Sequence, residues 1–479
     1  MSNRRKVEVA IIGAGSAGMR AYREVTKHTQ SVVLIEAGDY GTTCARVGCM
    51  PSKLLIAAAE AAHLGEHTQA FGVNYSQREI DGRAVMARVK SERDRFVSFV
   101  IDDVETWPSE HLIKGHAHFL SNHVLSIDNQ QEIEADKIII ATGSRPNIIP
   151  SFKSLGERLI INDDIFSWDD LPSSIAIFGA GVIGLELGQA LHRLGVKVTL
   201  FGRDNLVGPL SDPQVIEKAI EIFSNEFSFV PDAEVSRQEL TADGVEIDYE
   251  YQGKKLTEAF DYVLAATGRL PNLDKIGLEN TSLTLNERGL PSFDLNTGRV
   301  ENSHIFVAGD ANNTIPLLHE AADEGQIAGY NAAHYPNIRR FKKSSPISVI
   351  FSDPQIMMVG ETYKALKASN IDFEIGQLDW KEQGRSRVML VNQGLLRVYG
   401  EKNTGRFLGA EMIGPRAEHL AHLLAWAHQS NLTVSEILER PFYHPVVEEG
   451  VRTAMRLLNH ALDMGDLPPN RCIDCGVGA

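Results

Sequence analysis

Residues 7–18, VEVAIIGAGSAG, decide how the rest of the chain is read. An apolar run leads straight into Gly13, Gly15 and Gly18 at G-x-G-x-x-G spacing. In a strand–turn–helix unit these glycines have separate tasks. The first permits a tight turn, the second lets backbone approach a pyrophosphate, and the third lets the helix pack on the strand. The next apolar run, SVVLIEAGD (31–39), ends in Glu36, 23 residues after Gly13, where a carboxylate takes the two ribose hydroxyls of a dinucleotide. The unit returns at 174–184 as SIAIFGAGVIG, with Gly179, Gly181 and Gly184, a helical stretch and the strand KVTLF (197–201). An offset of 166 residues between Gly13 and Gly179 is too long for a solenoid repeat and fits two separate domains. The chain is therefore expected to be α/β, with two Rossmann-like domains and two bound nucleotides.

The second copy departs from the first at its acidic position. Gly202 stands 23 residues after Gly179, and Arg203 follows. Loss of the carboxylate removes repulsion against a 2′-phosphate, and a guanidinium pairs with one, so the residues lean toward NADPH over NADH. Two further segments share a pattern, KIIIATGSRPN (137–147) and DYVLAATGRLPN (261–272). Each is a strand running into Ala-Thr-Gly, with Thr142, Gly143 and Gly268 at exits that suit chain crossings between domains. A third, HIFVAGDANN (304–313), ends in Gly309-Asp310, a carboxylate placed either beside close-approaching backbone or as the cap of the next helix.

Bulk properties set the outer limits. The 479 residues are 43% hydrophobic and 23% charged, the proportions of a globular protein of about three domains. A formal charge of −16 argues against nucleic-acid or anionic-membrane partners. The start, MSNRRKVEVAIIGAG, mimics a secretion signal, but Glu8 and the glycine pattern make it a first strand. With no apolar run near the ~20 residues a membrane helix needs, the expected location is cytoplasmic. In a reducing compartment four cysteines are no disulfide framework, so close pairs read as redox or metal chemistry.

One such pair lies in GTTCARVGCMPSK (41–53), as Cys44 and Cys49. Pro51 suits a first helical turn and LLIAAAEAAHL (54–64) is strongly helix-forming, so Cys49 is expected at a helix N-terminus, where partial positive charge favours thiolate.

Together these segments resemble the two-dinucleotide disulfide reductases, the flavoprotein family of dihydrolipoamide dehydrogenase, glutathione reductase, mercuric reductase and the larger thioredoxin reductases. The resemblance runs from Val7 to about Asn459, and the His-x-Ala-x-Asp-Glu-Gly wording of PLLHEAADEG (316–325) brings it nearest to dihydrolipoamide dehydrogenase. It implies that Cys49 faces a flavin and Cys44 a substrate. It implies that His444 and Glu449 in PFYHPVVEEG (441–450) form a base unit serving the opposite subunit of an obligate homodimer. It also implies that Lys53 and Glu186 pair beside the flavin, and that the helix after Asp310 points its N-terminus at the flavin ring. The expected cofactors are FAD and NAD(P), and no metal ligand set is assigned. The partners implied are a second copy of the chain and a small dithiol, disulfide or lipoyl-domain substrate.

The expected layout is an FAD domain in 1–150 and 273–343, an NAD(P) domain in 151–272, and an α+β dimerisation domain in 344–464, read as a mixed sheet plus helices. A tail, 465–479, carries Cys472 and Cys475 in RCIDCGVGA. That C-x-x-C is atypical of dihydrolipoamide dehydrogenases and is either a relay to another disulfide or to mercuric ion or a tail with no catalytic role, with a two-ligand metal clip as the third reading. If 446–464 were one helix of roughly 28 Å, folding the tail back to His444 would be borderline. The leading expectation is oxidation of a dithiol with NAD(P)+. Reduction of another disulfide or of mercuric ion is the alternative, and a non-catalytic flavoprotein redox sensor is the alternative from another class. A sensor needs no interchange thiol with its own base.

Overall fold

A computed structural model of the chain describes residues 4–75 and 79–464. The cysteine pair Cys472 and Cys475 lies outside the described residues. Val9, Ala10 and Ile11 are wholly buried in the strand Arg4–Ile12, and this unbroken apolar run is what a strand covered on both faces requires. That strand lies parallel to Val32–Glu36 on one side and to Gln131–Ile140 on the other. Leu112–Lys114 extends the sheet at one edge, and Val124–Ile127 and Ala117–Ser121 extend it at the other. Ile305–Val307 returns from far along the chain to pair in parallel with Gln131–Ile140. Helices Ser16–Val25 and Leu318–His334 pack on one face through Ala17, Ala21, Val25, Ala321 and Ala328, small side chains that let helix approach helix.

The second unit repeats the first. Ser174–Phe178 is parallel to Lys197–Phe201 and to Tyr262–Ala265, with Ser228–Val230 and Leu159–Ile160 at the edges. A three-stranded antiparallel sheet of Glu234–Leu240, Val245–Tyr251 and Lys254–Phe260 packs beside it. The chain crosses between the two units through Ser144–Pro146 and Arg269–Pro271, which pair antiparallel. The Asn272 amide N–H donates to Gly143 O at 2.9 Å, and the Asn147 amide N–H donates to Gly268 O at 2.9 Å. Each Ala-Thr-Gly exit is thus held by the asparagine of the other.

The third sheet runs Ile347–Ile350, Gln355–Gly360, Phe407–Gly414, Leu395–Glu401, Phe373–Asp379. It is antiparallel throughout, not mixed as expected. The links 351–354 and 402–406 are too short for the crossover that a parallel pair needs. Its core holds Trp380 and Phe407 beneath helices Ala417–Gln429 and Glu449–Ala461. The last helix is shorter than the expected span 446–464. Glu449 Oε2 accepts the Val446 N–H at 3.2 Å, which keeps the segment ahead of it out of the helix, and Asp463 takes a positive φ of 54° just past its end. A buried joint ties the second and third sheets: Glu411 accepts from Ser211 N–H, Ser211 Oγ, Asp212 N–H and Tyr363 N–H, and Asp212 lies 2.9 Å from Arg397 Nε.

Candidate active site

The glycine turns show why the two copies share a spelling. A Cβ on Gly13 would fall 2.3 Å from Ala141 O, and one on Gly18 would fall 1.8 Å from Gly13 O. A Cβ on Gly179 would meet Ala266 O at 2.3 Å, and one on Gly184 would meet Gly179 O at 1.9 Å. Neither Gly15 nor Gly181 has any atom within 4 Å of its would-be Cβ, so the turn stays open where a pyrophosphate must approach. Each of these middle glycines precedes a helix start, Ser16–Val25 and Val182–Arg193, whose free N–H groups and dipole suit phosphate. Buried Thr142 Oγ1 has no hydrogen-bond partner among the described residues, an orphan that a ligand at this turn would satisfy. The residues therefore fit two dinucleotides.

Register decides the acidic position. Gly13 N–H donates to Ile35 O at 2.7 Å and Gly179 N–H donates to Phe201 O at 2.8 Å, so Gly202 occupies in the second copy the place of Glu36 in the first. Glu36 accepts the N–H groups of Ala14 at 2.7 Å and Gly38 at 2.8 Å, which hold its carboxylate beside the glycine turn. Arg203 follows Gly202 on the exposed surface, with Asp204 3.3 Å from its Nε.

Cys44 lies on a short helix, Thr43–Val47, and Cys49 opens the next, Cys49–His67. Both are free thiols, and each shifts the other's titration. The interaction splits them. The Cys44 S–H bond lowers Cys49 to about 7 against opposing burial, and the Lys53 ammonium adds to the effect. The same interaction, with burial, pushes Cys44 far up, so Cys49 is the thiol of the pair that ionises first.

One turn into that helix, Lys53 Nζ donates to Glu186 Oε2 at 2.6 Å. Glu186 is 4% exposed and also accepts the Phe351 N–H at 3.0 Å, and the Phe351 ring lies 4.5 Å from Lys53 Nζ. Three distant segments thus meet beside Cys49. Asp310 is on the 3-10 turn Gly309–Asn312 and accepts from Ser144 Oγ at 2.7 Å, with Arg269 Nε 4.0 Å away. It does not cap the helix Leu318–His334, which has no side-chain cap. Behind the turn, Glu324 accepts from Gly309 N–H and Asn312 Nδ2 and pairs with Lys343.

His444 and Glu449 come together as a unit. His444 Nδ1 is 3.0 and 3.1 Å from the two carboxylate oxygens of Glu449, and this bond holds Glu449 below the usual carboxylate range. The histidine side chain is 80% exposed, and its hydrogen-bond partners among the described residues are confined to Glu449. Nδ1–H donates to the carboxylate, so Nε2 of this exposed ring is the nitrogen left to act as a base.

Residues 7–325 match the pyridine nucleotide-disulphide oxidoreductase family, and residues 347–455 match its dimerisation domain. The chain belongs to this family. The dihydrolipoyl dehydrogenase of Geobacillus stearothermophilus is 29% identical over 458 residues, covering 93% of this chain and 94% of that protein. That of Haloferax volcanii is 30% identical over 461 residues, covering 93% and 95%. Among solved structures, LpdA from Mycobacterium tuberculosis superposes with a TM-score of 0.79 at 24% identity, covering 94% of this chain and 99% of its own. An HOCl-induced flavoprotein disulfide reductase from Escherichia coli superposes at 0.77 and 23%, again covering 94% and 99%. These two likenesses show the fold.

This family member is an oxidoreductase acting on sulfur groups, and the family uses FAD and NAD(P). No helix among its described residues is long and apolar enough to cross a membrane. Sequence reading missed Phe351, Ser144, Arg269 and the Glu324–Lys343 brace. Phe351 stands in SVIFSDPQIMMVG (348–360), where only an aromatic before a turn marked it. Ser144 and Arg269 directly follow the two Ala-Thr-Gly exits and Glu324 stands in PLLHEAADEG, whereas Lys343 carried no local signal.

Proposed function

We propose that the protein is a homodimeric, dihydrolipoamide dehydrogenase-like enzyme that oxidises a dithiol at Cys44–Cys49, with His444 and Glu449 of the partner chain as base unit. The observation that carries this reading is the division of the thiol pair. The pair lowers Cys49 and raises Cys44, so Cys44 needs an outside acid–base partner, and His444 offers an exposed imidazole held by Glu449.

In the oxidised state, one substrate thiolate attacks Cys44 Sγ; the Cys44–Cys49 bond breaks and its electron pair stays on Cys49. His444 Nε2 takes the proton of the second substrate thiol, whose sulfur then attacks the first. The mixed disulfide breaks, Cys44 leaves and recovers that proton from His444, and the substrate departs as a disulfide. Glu449 holds the imidazole through Nδ1 and steadies its cationic form. Bound FAD and NAD(P) supply the route by which the electron pair moves between Cys49 and the nicotinamide. Gly13, Gly15, Gly18, Glu36, Thr142, Gly143, Gly309 and Asp310 would hold the FAD, and Gly179, Gly181, Gly184, Gly268 and Arg203 the NAD(P). Lys53 and Glu186 would set the charge between them. The domain limits at 150, 272, 343 and 464 belong to the same proposal.

Gly202 and Arg203 favour a second direction, NADPH-driven reduction of a disulfide or of mercuric ion, because no carboxylate repels a 2′-phosphate there. Steady-state rates with lipoamide, glutathione disulfide and mercuric ion, each with NADH and NADPH, separate the two directions. Co-expressed His444→Gln and Cys44→Ser chains test the shared site. Each homodimer should be inactive and the mixed dimer active, because it rebuilds one complete site. A mixed dimer as inactive as its parents would sink the shared site.

A further inference from the structure

The helix that begins with Cys49 ends in a second cluster of ligating side chains. His63, Glu66 and His67 each place one ligand atom within 4.8 Å of the others. The His63 and His67 rings lie 4.1 Å apart, tilted by 37°. Spacing of four residues puts both imidazoles on one helix face, and His-x-x-Glu-His is a spacing by which a single helix offers a divalent ion two imidazole nitrogens, and here a Glu66 carboxylate oxygen lies within the same 4.8 Å. His67 Nδ1 is 2.9 Å from His63 O. A carbonyl only accepts, so Nδ1 carries the hydrogen and the Nε2 lone pair of His67 is the one left for a metal, the arrangement that orients a ligand histidine. His67 is the last helical residue, where the negative end of the helix dipole favours a cation. Near His63, Glu226 and Asp353 are both paired with Arg193, at 2.6 and 2.9 Å.

We propose that His63, Glu66 and His67 form a binding site for one first-row divalent transition-metal ion, separate from the thiol pair. His63 follows Cys49 by 14 residues, about 21 Å along the helix, so neither active-site sulfur reaches the ion. Two imidazoles and a carboxylate suit Zn(II), Cu(II) or Ni(II) over Mg(II) or Ca(II), and three protein ligands leave a position for water.

The test uses tag-free, fully oxidised holoenzyme, with active-site sulfurs held as the disulfide and with Cys472→Ser and Cys475→Ser in every sample. Zn(II) is titrated in competition with a chromophoric chelator. One ion per chain is expected, and H63A or H67A should each weaken binding by more than the about 10–100-fold cost of losing an outer-shell partner. Flavin content should be unchanged. Electron paramagnetic resonance of the same protein with one equivalent of Cu(II), needing no substitution at the site, should show coupling to two imidazole nitrogens. Zn(II) affinity that survives H63A and H67A unchanged, or a Cu(II) spectrum without nitrogen coupling, overturns the site.

Discussion

Replacing Cys44 with alanine removes the hydrogen bond that contributes most to the low pKa of Cys49. Without that donor, burial and the Glu186 carboxylate act against the Lys53 charge and the helix-start backbone N–H, and Cys49 moves from about 7 back toward its ordinary value of 9.0. At pH 7 a thiol with a pKa near 7 is half ionised, whereas one at 9 is ionised to about one part in a hundred, a roughly fiftyfold loss of thiolate. The less acidic thiolate is intrinsically more nucleophilic, by about eightfold over two pKa units, so the net fall in alkylation rate at pH 7 is about sixfold. The assay is iodoacetamide labelling of Cys49, followed by peptide mass spectrometry from pH 5 to 10. Wild-type holoenzyme reduced by two electrons is compared with Cys44→Ala holoenzyme. Since only the thiolate reacts, both rates rise with pH. The wild-type curve should turn over near pH 7 and the variant near pH 9. A variant midpoint that stays near 7 would mean that the helix start and Lys53 suffice, and would refute the proton-sharing asymmetry on which the proposed mechanism rests.

Four further outcomes are expected. Lys53→Met leaves the Glu186 carboxylate buried without its cation and should cost about 3 kcal/mol in urea unfolding followed by flavin release, with Lys53→Arg recovering part of it. His444→Gln should lower kcat/KM for dithiol oxidation by about 10²–10⁴-fold while NAD(P)H still bleaches the flavin, because the imidazole is exposed and its bond is to Glu449 of the same base unit. Gly18→Ala should purify without FAD, whereas Gly184→Ala should keep FAD and lose NAD(P)H-dependent reduction, since each Cβ lands within 1.9 Å of a carbonyl oxygen of its own turn. Arg203→Ala should raise the KM for NADPH and leave that for NADH unchanged, and equal shifts for both would remove Arg203 from cofactor choice.

Much of the site was legible because its determinants are local. The glycine spacings describe contacts closed within a single turn, as the 1.8 Å clash of a Gly18 Cβ with Gly13 O makes plain. The Cys49 helix start and the His444–Glu449 bond join residues five or fewer apart in sequence or one helical turn deep, so spacing alone implies them. The place of Gly202 opposite Glu36 followed from counting residues, and hydrogen-bond register agrees with the count. In the third sheet the short links 351–354 and 402–406 make two of the four pairings antiparallel, and the other two follow only from packing.

What the chain by itself determined is therefore the set of short-range devices: two phosphate turns, an acid at one and none at the other, a dithiol at a helix start, a histidine with its carboxylate. Only the tertiary structure decided which of these face one another. Ser144 reaches Asp310 across 166 residues, Phe351 reaches Glu186 across 165, and Lys343 braces Glu324 behind the Gly309 turn. Such contacts depend on how the sheets dock, and docking minimises the exposed area of whole faces, so no single residue's neighbours in sequence encode it. The same holds for His63 and Arg193: local spacing aligned the imidazoles on a helix, but only packing set the charges around them.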